Sequence, residues 1–199
     1  MKIDISLTDF VDFAMKSGTP KVTKVSEMKD RPDYQPAFDF YKRFREALFE
    51  AHRGGEGISV ITAMVRSQTD PKKRAQYEEI ASANKSWCGR KSLVWFEPPR
   101  DELRVGDVRM RLNPELGLTI QGVPHVIKLY FKPEKLPRNR AEMIAYLMAK
   151  ELGAKAPEAA FSILDVRRKN LMTPSSDPKR LGTLLAGELA ALEAMWDLA

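Results

Sequence analysis

Cysteine and histidine are almost missing from this chain: of 199 residues one is cysteine, Cys88, and two are histidine, His52 and His125. A lone thiol excludes an intramolecular disulfide, and three such side chains cannot build a Cys/His zinc site. Long apolar runs are missing too. No stretch approaches the roughly 18 residues of a membrane span, and the opening MKIDISLTDF places Asp4 and Asp9 where a secretory leader carries apolar residues. The expectation is a cytoplasmic protein with no membrane partner and no cofactor signature. There is no phosphate loop either: Gly54-Gly55-Glu56-Gly57 follows a helical pattern and lacks the lysine and hydroxyl residue that would cradle a nucleotide.

Charge is abundant and unbalanced. Lys and Arg number 33 against 27 Asp and Glu, a net +6, with a sequence pI near 9.4. Such an excess favours a polyanionic partner, nucleic acid or another. At 43% hydrophobic content the chain can bury a core unaided. It reads as one domain, 1–199, with a helical part over 37–86, a sheet part over 92–172 and a C-terminal helix over 177–199.

The local patterns supply the elements. Ser6 and Asp9 form a capping box ahead of Leu7, Phe10, Val11 and Ala14. Thr19 to Pro36 is polar, with three prolines, and reads as an extended connection. From Ala37, Phe40, Phe44, Leu48 and Ala51 fall on one helical stripe that stops at Gly54-Gly55. Ile58 to Val65 makes a second helix, and Asp70-Pro71 caps a third that runs to about Asn84. The period then changes from 3.6 to 2. SLVWF is a short strand; Val108, Met110 and Leu112, then Leu116, Leu118 and Ile120, then Ile127, Leu129 and Phe131 alternate with polar residues as an antiparallel meander. Asn139 and Glu142 predict a helix N-terminus, AAFSILDV a strand, and Asp177-Pro178 the start of a final helix striped with Leu181, Leu184, Leu185, Leu192 and Trp196. The predicted class is α+β: a helical N-terminal half packed on a mainly antiparallel sheet with a central three-strand meander and a C-terminal amphipathic helix. The last stripe serves either as core or as a homodimer or partner contact.

Side-chain alternation places Arg109, Arg111, Thr119, Gln121, Lys128, Tyr130 and Lys132 on one face of the meander. Four cations and an aromatic there would hold phosphates and stack a base. Glu115, at the head of one strand, shares that parity with Lys128. A carboxylate and a lysine on adjacent strands are two parts of a metal-dependent phosphodiesterase.

With Pro114-Glu115, Lys128 and the order helix, meander, helix (Arg140 to Leu152), strand (Phe161 to Val166), the chain resembles the PD-(D/E)XK, or restriction-endonuclease-like, superfamily. The resemblance covers the middle two-thirds of the chain. It implies Mg-dependent nucleic-acid cleavage, with Glu115 and Lys128 as the matching catalytic positions and Glu46 or Glu50 as an acid of the first helix. Val126 stands where that family places its second acid, two residues before the lysine, so the resemblance also fits a degenerate, non-cleaving member.

Other candidates have plainer readings. Asp165 in an apolar strand is a metal acid or the partner of Arg167 or Arg168. Glu46 and Glu50 beside Lys42 form a solvated face or a ligand pair. His52 suits a cation at a helix C-terminus, His125 a turn, and Cys88 a packed thiol. The expected function is therefore nucleic-acid or other polyanion binding on a degenerate nuclease-like core, with Mg-dependent cleavage, or a protein-interaction module using the C-terminal helix, as the alternatives.

Overall fold

The computed structural model describes residues 3–31, 39–55 and 57–198. Among them five consecutive helices precede most of the strands, an α+β arrangement with 52% helical and 21% strand content. The order is β1 (Ile3–Ser6), α1 (Leu7–Ala14), α2 (Thr19–Lys29), α3 (Lys42–Arg53), α4 (Ile58–Arg66), α5 (Pro71–Cys88), β2 (Leu93–Phe96), β3 (Asp101–Val105), β4 (Val108–Leu112), β5 (Leu116–Ile120), β6 (Val123–Tyr130), α6 (Arg138–Leu152), β7 (Ala160–Asp165), β8 (Asn170–Met172) and α7 (Pro178–Leu198).

The strands form two sheets. One runs β1-β4-β3; the other runs β2-β5-β6-β7-β8. The larger is antiparallel except at β6 and β7, which lie parallel with α6 as their connection. The expected meander is corrected here: β5 and β6 pair with each other, but β4 leaves them to pair parallel with β1 and antiparallel with β3. The third neighbour of the larger sheet's antiparallel part is β2. Asn113-Pro114 is the dividing point, because proline cannot donate to a ladder and turns the chain from one sheet to the other.

Turn chemistry fixes the registers. Gln121 and Gly122 both have positive φ, 50° and 89°, the two-residue hairpin conformation whose twist matches the flanking strands. Gly117 in β5 is required by contact: a Cβ there would run into the carbonyl oxygen and ring of Phe96 on β2.

Two apolar clusters cover the larger sheet's two faces. Phe44, Leu48, Ile61, Val65, Tyr77, Ile80 and Trp87 from α3 to α5 pack on Leu116, Leu118, Ile127, Leu129 and Leu164. Residues of α1, α2, α6, α7 and the smaller sheet pack with Val126, Tyr130, Phe161 and Ile163. Most of the α7 stripe belongs to this second cluster: Leu185, Leu189, Leu192 and Trp196 are all at most 6% exposed, and Leu181 is buried as well. Each is worth roughly 1.5–3 kcal/mol of burial, so the stripe is used within the chain. A second copy would have to meet another face of the helix.

Several local readings change. Thr19–Lys29 is helical, with Pro20 in its first turn and Val25 and Met28 buried one turn apart. Pro32 and Pro36 lie outside the described residues. The Ser6–Asp9 capping box is present in full, and Asp70 caps α5, which runs on to Cys88 before Gly89 at φ 50°. In α6 the N-cap is Pro137, so Asn139 falls inside the first turn and Glu142 serves another purpose. Its carboxylate, 1% exposed, accepts from Arg138 Nε at 2.7 Å, from Ser175 at 2.7 Å and from Ser176, tying the segment before α7 to α6.

Candidate functional site

Glu115 stands just ahead of β5, after the Asn113-Pro114 break, and its own N–H bonds the carbonyl of Ile127, the residue already in register with Leu116. This one-residue offset turns its side chain across β6. One carboxylate oxygen accepts the Leu129 N–H at 2.8 Å and the other receives the Lys128 ammonium. Lys128 also donates to the Thr8 hydroxyl of α1 at 2.8 Å. The lysine side chain is 3% exposed and that of Glu115 12%, so this is a desolvated ion pair in which both partners have hydrogen bonds.

Glu115, with Lys128 buried behind it, borders a cleft of about 400 Å³. Thr8 of α1 and Asn113-Pro114-Glu115 make one wall; Arg45, Glu46, Phe49 and Glu50 of α3 make the other, with Arg100 at the rim. Glu46 and Glu50, one turn apart on α3, thus share a cavity with Glu115. Glu46 is paired with Lys42 at 3.6 Å. Phe49 is set by an edge-on contact with Trp95, 4.9 Å between ring centroids, with the Arg53 guanidinium 5.6 Å from its own ring.

Do these residues fit a divalent metal? Among the described residues no group of three His, Cys, Asp or Glu is placed to hold one. Val126 is 0% exposed in the core instead of offering a carboxylate, and Glu115 has both oxygens engaged. Asp165 does not join them: it is 1% exposed and bonded to Arg168, through the backbone N–H at 3.2 Å and the guanidinium at 3.3 Å. The donor set does not fit the ion, and no reaction step is built on it.

The row of basic residues is not one face. Arg109 and Arg111 lie on β4 in the smaller sheet, whereas Lys128 and Tyr130 lie on β6 and Lys132 just beyond it. Each cation also has an acid. Arg109 bonds Glu102 and reaches Asp4 at 3.3 Å, Arg111 bonds Asp4, and Lys132 bonds Asp12 at 2.7 Å. Glu102 is held down to about 2, first by its bond to Arg109. Tyr130 is 4% exposed, its hydroxyl has no partner among the described residues, and burial pushes its phenol pKa up, so it offers no ring to a base. Parity was right along each strand; what it could not carry was which sheet a strand joins.

The remaining titratable groups are structural. Burial lowers the pKa of His52, whose Nε2 is enclosed without a partner, so the expected helix-capping cation is a neutral imidazole. His125 Nδ1 lies 3.0 Å from the hydroxyl of Ser162, which is 0% exposed and beyond the reach of a substrate. Burial raises the Cys88 thiol. The strand Asn170–Met172, the hairpin strand Asp101–Val105 and β1 carried too few alternating residues to be read in advance.

Set against family models, curated proteins and solved structures, the chain matches none of them significantly. No helix among the described residues is long and apolar enough to cross a membrane.

Proposed function

We propose that the protein binds nucleic acid, with the outer surface of α3 to α5 as its phosphate-contacting face, on a nuclease-like core that does not cleave. One observation carries this reading: most of the chain's net positive charge lies there, on cations that no acid among the described residues neutralises. Residues 39–91 hold eleven Lys and Arg against seven Asp and Glu, +4 of the chain's +6. Arg43, Arg53, Arg66, Lys72, Lys85 and Arg90 are exposed and form no ion pair among the described residues, whereas the sheet cations are each neutralised. Lys72, Lys73 and Arg74 moreover crowd the first turn of α5, where the helix dipole favours acids. A local rule broken in this way is relieved when a polyanion arrives.

Fluorescence anisotropy with labelled 20-nucleotide single strands and duplexes, at several salt concentrations, tests the proposal. Binding that weakens steeply with salt is expected. Lys72→Ala with Lys73→Ala lowers affinity and reduces the salt slope by about one per lysine, while Arg109→Ala with Arg111→Ala leaves both unchanged. Absence of binding at micromolar protein refutes it.

A second reading, Mg-dependent hydrolysis, rests on the convergence of Glu115 and Lys128 and requires Glu115 to give up its bonds to Lys128 and the Leu129 N–H to reach an ion. Incubation of plasmid and single strands with Mg²⁺ or Mn²⁺, against a Lys128→Ala control, decides it: cleavage that the variant retains does not come from this site.

A further inference from the structure

The cleft between α3 and the turn before β5 has walls unlike those of a phosphate site. Its carboxylates repel phosphate, and two of the three are already committed, Glu115 to Lys128 and Glu46 to Lys42. The third, Glu50, is exposed and has neither a hydrogen bond nor an ion pair from its carboxylate among the described residues. It follows Phe49 directly on α3, and both line the cavity; the Phe49 ring is held by Trp95 and Arg53. Across from them the Asn113 side chain supplies an amide with both a donor and an acceptor. Arg100, 60% exposed, also lines the cavity; its 3.8 Å pair with the similarly exposed Glu97 is a weak surface contact that a phosphate outside can displace.

We infer that this cleft receives one unstacked nucleobase of a single strand, and that the base is guanine; the inference rests on the nucleic-acid reading above. About 400 Å³ is at the small end of ligand pockets and admits a base, not a duplex. Unpaired bases are recognised by stacking on an aromatic ring and by hydrogen bonds to their Watson–Crick edge. An ionised carboxylate only accepts, and guanine alone presents two adjacent donors, N1–H and the 2-amino group, that engage both its oxygens; adenine and cytosine present one amino group beside an acceptor nitrogen that repels it. Glu50 is therefore the specificity residue, Phe49 the stacking platform, and Asn113 a further contact to the base. The free cations of α3 to α5 carry the flanking phosphates.

The experiment is anisotropy with oligothymidylate 12-mers carrying one central G, A or C, and with a duplex of equal length. The G-bearing strand is expected to bind about tenfold more tightly than the others. Glu50→Gln, a surface change that removes the negative charge and puts a donor where an acceptor stood, brings the G, A and C strands to equal affinity. Phe49→Ala weakens every single strand about tenfold and leaves the duplex unchanged. Equal affinity for the three strands in the wild type, or a G preference that survives Glu50→Gln, overturns the inference. The wider reading stands in that case if binding still falls with Lys72→Ala and Lys73→Ala; no binding to any oligonucleotide overturns both.

Discussion

Lys128 and Glu115 meet largely out of water, at the base of the cleft, the ammonium also holding the Thr8 hydroxyl at 2.8 Å and the carboxylate the Leu129 N–H at 2.8 Å. The contact joins α1, the start of β5 and the middle of β6. Removing one partner leaves the other charge buried, so Lys128→Met or Glu115→Leu alone is expected to destabilise by about 3–5 kcal/mol. The double variant recovers most of the loss. Urea unfolding of the four proteins measures it; additive losses would mean that the two side chains do not act as a pair.

Glu142 predicts an acid limb of stability. Its carboxyl is lowered from near 4.5 to about 2, first by the Ser176 hydroxyl, with Ser175 and Arg138 adding to it. The folded state thus binds this proton less readily than the unfolded chain. The stabilisation is complete above the unperturbed value and is lost as pH falls toward 2. Urea midpoints between pH 6 and pH 2.5 should decline less steeply in Glu142→Gln than in the wild type.

His52 acts in a higher window. Burial lowers its pKa below 6.5, so the unfolded chain takes up a proton that the native state refuses. Stability falls as pH drops below about 6.5. His52→Gln should remove part of the difference between thermal midpoints at pH 7 and pH 5, and an unchanged difference would assign it elsewhere.

Gly117 is a packing requirement. Gly117→Ala forces Phe96 off β5 and costs about 3 kcal/mol in unfolding experiments. Gly122→Ala, by contrast, meets open space but must hold φ at 89°, and is expected to loosen only the β5–β6 turn.

The α7 stripe can be checked in the same way. Leu192 is 0% exposed, and Leu192→Ala should cost about 2–5 kcal/mol in a manner independent of protein concentration. A concentration-dependent loss would show that the stripe holds two copies together.

Local chemistry was legible wherever neighbouring residues decide it. The Ser6–Asp9 box and the Asp70-Pro71 and Asp177-Pro178 helix starts are all made by residues within a few positions of one another. The α+β class followed from the change of period near Ser92. By parity, Glu115 and Lys128 belonged on one side of the sheet, and that convergence holds.

Long-range pairing was decided only by the tertiary structure. Val108 to Leu112 has the same alternation whether it pairs with β5 or with β1, and the choice of β1 removed Arg109 and Arg111 from the supposed basic face. Ion pairing between distant residues then erased most of the rest: Asp4, Glu102 and Asp12 lie on β1, β3 and α1, and nothing near Arg109, Arg111 or Lys132 in sequence announces all three. Composition by itself determined that the chain carries six excess positive charges. Which of them stay free depends on partners brought together by folding, because a charge is cancelled by what lies within a few ångströms in space, whatever its distance along the chain.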